Sequence, residues 1–201
     1  MIEQISQTQP QLIELINDED RHNINTFEAD AQNIAKHAFP SGVWPSDLYP
    51  WPLLRLRFAE LLKGRGRLVD AMIQGIRGCL LLERRRGQAW VRNLFDILQL
   101  LARVLMLPEQ DSPCRKPGSP TETQLWDILY GYLHELSLDT VKIFGPGAGY
   151  TQAIQAWYSD CMSSIDAPKP GTRAFARRFK RAQSKFLLWA GVDENKGIDL
   201  T

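Results

Sequence analysis

Apolar residues in this chain recur at intervals of three and four and almost nowhere at intervals of two. The first spacing follows the pitch of an α-helix, whereas a half-buried strand needs strict alternation. Phe27, Ala31, Ile34, Ala35 and Ala38 make one such stripe, and Leu94, Ile97, Leu98, Leu101, Val104 and Leu105 make another. An apolar stripe must be covered by something. In a chain of 201 residues, helices can cover one another without disulfides or metals. The pattern predicts an all-α fold, an irregular stack of helical hairpins.

Prolines, glycines and capping residues divide the pattern into segments. Helices are predicted over 10–17, with Pro10 in the first turn, and over 25–38, where Asn25 and Glu28 form a capping box. Residues 53–63 and 68–85 read as a hairpin joined at Gly64-Arg65-Gly66. Further helices are predicted over 89–107, over 121–144 with Thr121 and Gln124 as a second capping box, over 150–162, and over 172–190 ended by Gly191. Residues 39–52 carry Pro40, Trp44, Pro45, Tyr49, Pro50, Trp51 and Pro52. They read as an ordered connection held by its rings. Four prolines and one glycine in 108–120 make the clearest break. The expected organisation is a short N-terminal helix and linker over 1–24, one helical domain over 25–192, and a tail over 193–201.

Charge and cysteine usage narrow the setting. A formal net charge of +1 gives no overall field towards nucleic acid or an anionic membrane, so any electrostatic reading must be local, and nucleic acid is not the expected partner. The N-terminus lacks the basic start and apolar run of a secretory signal, and no apolar stretch is free enough of charge to span a bilayer. Cys79, Cys114 and Cys161 are odd in number and widely spaced, which fits neither a disulfide framework nor a zinc site. An intracellular location, cytoplasm or nucleus, is expected.

In the hairpin, Phe58, Ala59, Leu62, Gly66, Leu68 and Ala71 resemble the spacing of a tetratricopeptide repeat, with Gly78 at a later small position and Gly75 departing from the pattern. The resemblance implies two close-packed helices presenting a face for protein partners. A shift of one repeat length lands in 89–107, which has no glycine turn, so the fold is expected to be repeat-like only in part. The order of parts is also similar to the C-terminal helical region of fungal SET-domain methyltransferase-type proteins, through the hairpin and the closing Phe175-Ala-Arg-Arg-Phe and Leu188-Trp-Ala-Gly. That resemblance implies a helical region without its enzyme, since the catalytic motifs of such proteins are absent.

Motifs that carry chemistry are incomplete. Gly145, Gly147 and Gly149 are spaced like a phosphate loop, but Tyr150 replaces the required Lys and no strand precedes them. They read as a helix-breaking loop. His134-Glu135 begins like a zinc-protease helix, but Leu138 stands where the second histidine belongs, so a polar helix surface is expected. Asp18, Glu19 and Asp20 read as a solvated acidic run. With no nucleophile beside a base and no paired carboxylates, no catalytic residue, cofactor or metal is expected.

Local charge is more informative. Arg173, Arg177, Arg181 and Lys185 recur at steps of four, with Arg178 and Lys180 beside them, and no acid interrupts 173–185. Phe175, Phe179, Ala182, Phe186 and Trp189 would turn inward and leave the cations outward. Arg55, Arg57, Lys63, Arg65 and Arg67 cluster at the hairpin, and Arg84, Arg85 and Arg86 form a third group. The candidate partner-binding residues are Arg173, Arg177, Arg178, Arg181, Lys185, Arg55, Arg65 and Arg67, and the candidate partner is another protein or an acidic peptide; for the last helix a solvated face, a phosphate backbone or an anionic membrane surface are the other readings. A non-catalytic helical interaction module is therefore the leading expectation. The SET-associated helical region comes next, and a helical ligand-binding protein or enzyme with an aromatic-lined cavity last.

Overall fold

The computed structural model describes residues 2–18, 24–40, 49–82, 87–115, 117–164, 168–193 and 197–198. The side chains of residues 2, 24, 25, 80–82, 164, 192, 193, 197 and 198 are excepted. Among the described residues there are eight α-helices: α1 (Ile2–Asn17), α2 (Ile24–Ala35), α3 (Trp51–Gly64), α4 (Leu68–Leu82), α5 (Gln88–Leu105), α6 (Glu122–Phe144), α7 (Gly149–Ser164) and α8 (Arg173–Trp189). The extended pieces among them, Val192–Asp193 and Gly197–Ile198, are two residues each, too short to form a layer. The fold is all-α. Where one domain was expected over 25–192, the chain forms two compact units, Met1–Arg84 with Asn195–Thr201, and Arg85–Glu194.

In the first unit, α1 corrects the predicted 10–17. It begins at Ile2 and carries Pro10 inside it. Ile5, Thr8, Leu12 and Leu15 recur on one face. Leu12 and Leu15 are buried with Phe27, Ala31, Ala35, Trp51 and Leu54, and Ile5 packs against them. Pro10 lies exposed on the other side, where water can take the bond its missing N–H would make. Burial of the stripe outweighs the proline, so this segment belongs to the core of its unit. The Asn25 side chain, residues 41–48, Glu19 and Asp20, Arg84 to Arg86, and most of the tail lie outside the described residues. Trp51 in the aromatic connection is buried as expected, at the first position of α3.

Helices α3 and α4 form the hairpin. Gly66 turns it with φ +73°, a left-handed conformation that favours glycine, and Arg65 N–H and Gly66 N–H bond back to the end of α3. Small residues set how closely the helices approach. Ala59 and Ala71 are buried, and a Cβ on Gly78 would lie 2.9 Å from the Pro52 carbonyl oxygen and 3.0 Å from Leu56 Cγ. Ala71 has no exposed surface, so Ala71→Leu is expected to destabilise the fold by roughly 1–3 kcal/mol, the usual cost of overpacking. A urea titration with an unshifted midpoint would contradict close packing at that position.

In the second unit, α5, α7 and α8 all pack on α6. Leu94, Ile97, Leu98, Leu101 and Val104 of α5 are buried as the stripe predicts, and they meet a helix with Leu125, Ile128, Leu129, Tyr132, Leu133 and Leu136 inside. The capping box of α6 forms as expected. Gln124 N–H donates to Thr121 Oγ1 at 3.2 Å, and Thr121 N–H donates to Gln124 Oε1 at 2.9 Å. Gly145, at φ +85°, ends α6. The chain then reverses, and Thr151 Oγ1 of α7 donates to the Thr140 carbonyl at 3.3 Å.

Candidate functional site: a basic groove between two helices

Thr172 starts α8, its Oγ1 accepting from Phe175 N–H at 3.2 Å. From there, Phe175, Ala182, Phe186 and Leu187 turn into the core. This modifies the expected stripe: Phe179 and Trp189 are half-buried, and Leu187 is inside. Phe179 is half-covered for a specific reason. Its ring lies on the bare backbone of α6 at Gly131, where a Cβ would overlap it, and edge-on to Tyr132 at 5.3 Å.

Arg178 lies three residues after Phe175 and four before Ala182, which aims it at α6 and away from open solvent. It does not stand free on a basic face. Its Nε lies 2.7 Å and 2.8 Å from the two carboxylate oxygens of Asp127, a residue 7% exposed. Further along, Gln183 Nε2 donates to Tyr132 Oη at 2.9 Å.

Beside the Asp127–Arg178 pair lies a groove of about 430 Å³, lined by Gln124, Asp127, Pro168, Ala174, Arg177, Arg178, Arg181 and Ala182. It brings together three of the predicted cations, and Arg173 and Lys185 are not part of its lining. Arg177 and Arg181 are exposed, one helical turn apart, and Arg177 Nε donates only to the Arg173 carbonyl at 3.4 Å among its described contacts. With the Asp127 charge matched by Arg178, two of the groove's guanidiniums have no acidic partner among the described residues. Between the charges, Pro168, Ala174 and Ala182 offer apolar wall. The arrangement can hold an extended anionic segment.

The hairpin cations behave differently. Arg55 is a correction: it is 5% exposed and presents no surface charge. Its Nη1 reaches Gln74 Oε1 at 2.9 Å and Glu28 Oε1 at 3.3 Å, and the guanidinium sits over the Trp51 ring at 5.8 Å. Burial pushes its pKa below the ordinary value, with Glu28 acting against that shift. Arg67 is bridged to Asp70 at 2.7 Å, and Arg65 is exposed. A second groove, about 330 Å³, takes Arg67 together with Glu28 and Asp70, so its charge is mixed. The hairpin therefore offers much less positive field than its sequence implies.

Other candidates settle into structure. His134 is not a polar surface residue. It is half-buried against Tyr158 and Phe175, with ring centroids 5.5 Å and 5.6 Å away, and its Nδ1 is buried without a hydrogen-bond partner. Burial holds its pKa below 6.5, because a second ring proton would have no acceptor. Between 6.5 and that lower value the unfolded chain binds the proton and the folded one does not, so stability is full above pH 6.5 and falls as the pH drops. His134→Phe should flatten that fall in pH-dependent urea titrations. An unchanged slope would assign it to other groups. Tyr150, between Phe95 and Phe144, fills the place after the glycine loop as a packing residue, its pKa pushed up to about 12 mainly by burial. Among the described residues, no three His, Cys, Asp or Glu side chains gather where a metal could sit, and no helix is long and apolar enough to cross a membrane.

Sequence reasoning passed over Asp127, although a signal existed: it is the one charged residue in 125–133. An isolated acid in an apolar helical run requires a buried partner. That partner stands 51 positions later. No protein-family model matches this chain, and neither curated proteins nor solved structures include a match to it.

Proposed function

We propose that this chain is a non-catalytic helical protein-interaction module, and that the groove between α6 and α8 receives an acidic peptide. The observation that carries the reading is the convergence of Arg177, Arg178 and Arg181 on one groove whose one carboxylate among the described residues, Asp127, is already paired. Charged residues on two elements thus form a shaped, positively charged cleft with apolar contact surface. A solvated helix face would have no such walls. The likeness of α3 and α4 to a tetratricopeptide unit is supported by the buried small residues Ala59, Ala71 and Gly78 where the helices meet. We infer an intracellular setting, supported by cysteines that remain thiols, two of them buried.

A fluorescein-labelled oligoglutamate peptide tests the reading. Its anisotropy should rise on titration with the chain, and the affinity should fall as salt increases from about 0.05 M to about 0.5 M, because exposed charge is screened over that range. An unlabelled oligoglutamate peptide should compete. Absence of binding, or binding indifferent to salt, would remove the proposal.

A further inference from the structure

Resting on that reading, the groove's charge and donor geometry point to a more specific occupant: we propose that it recognises a phosphorylated serine or threonine in a peptide. Of the groove's three guanidiniums, Arg177 and Arg181 are the two without a carboxylate among their described contacts. Residues four apart on a helix have neighbouring Cβ atoms, so two such arginines can close on a single group. One carboxylate would satisfy one guanidinium and leave the other facing it. A phosphoryl group at neutral pH carries close to two negative charges and three acceptor oxygens, which matches both. Arginine supplies planar, forked donors for such oxygens, whereas lysine is a point charge.

Asp127 and Arg178 have a positioning role here. The carboxylate is 7% exposed and bonded to Arg178 at 2.7 Å, which fixes that guanidinium at the groove wall and keeps the acid from repelling the guest. The groove also argues for a peptide over a free ion. At about 430 Å³ it is several times the size of a phosphate group, and Pro168, Ala174 and Ala182 provide apolar surface for the flanking residues.

The test uses three immobilised peptide libraries, mixed at the flanking positions, with phosphoserine, aspartate or serine fixed at the centre. The full chain should be retained by the phosphoserine library roughly tenfold more strongly than by the aspartate library, since each additional charge-assisted hydrogen bond contributes on that scale. Arg177→Lys with Arg181→Lys keeps the charge and removes the fork, and should erase most of the difference while retaining acidic-peptide binding. Equal retention on phosphoserine and aspartate would overturn the phosphate inference and leave the acidic-peptide reading standing. Retention no better than on serine would overturn both. Calorimetry with inorganic phosphate provides the last arm: binding as tight as that of the peptide would overturn the peptide assignment in favour of a free-phosphate site.

Discussion

Gly131→Leu is expected to lower the stability of the chain by about 3 kcal/mol, the upper end of ordinary overpacking. Glycine within a helix costs about 1 kcal/mol relative to alanine, so its presence at the centre of α6 needs a reason. The Phe179 ring supplies it, lying where a Cβ would be. A leucine there must displace the ring, and the ring is confined by Tyr132 at 5.3 Å and Phe175 at 6.2 Å. Relief cannot come from a small rotation. Phe179→Ala alone should also destabilise, but combined with Gly131→Leu it should recover part of the loss, because the cavity and the added side chain occupy the same space. Urea titrations of the single and double variants measure this coupling. Strict additivity would show that residue 131 and the ring do not meet.

The double reversal Arg177→Glu with Arg181→Glu should weaken acidic-peptide binding on the order of a hundredfold, counting about 1.5 kcal/mol for each charge-assisted hydrogen bond lost. Both residues are exposed, and neither has an acidic partner among its described contacts, so the fold should be unaffected. Lys180→Glu is the control. Lys180 is equally exposed on α8 but is not among the lining residues, so reversal there changes net charge without touching the groove. Equal weakening by Lys180→Glu would mean that the peptide responds to the general field of the helix. The groove would then lose its claim to be the site.

The two halves of α8 differ in how much of their role was legible. The inward positions Phe175, Ala182 and Phe186 follow from spacing alone, because a helix buried on one side must repeat its apolar residues at that period. The cations of the other face were visible as a group, but nothing local separates Arg178 from Arg177. One is tied to a buried acid on another helix, and the other is not. Arg55 shows the same difficulty more sharply. It stands in a run with Arg57, yet the first points into Glu28, Gln74 and Trp51 while the second is half-exposed and bridged to Glu60 at 3.0 Å. Two residues of separation on a helix turn a side chain through more than half a circle. Which side faces the core is then decided by what packs there.

Helical content, the hairpin turn at Gly66 and the cap at Thr121 were determined by the sequence itself. Each depends on interactions within a few residues: a repeating apolar period, a left-handed glycine, a side chain reaching its own helix start. Pro10 marks where local rules fail, since burial of Leu12 and Leu15 against α2 and α3 keeps α1 intact through a residue that disfavours it. Everything that makes the groove came from tertiary structure. Asp127 meets Arg178 and Gly131 receives Phe179 only because α6 and α8 pack against each other. These contacts join residues about fifty positions apart. Their energies depend on which helices share a core, and that is a property of the packed unit, absent from any stretch of chain short enough to read by period.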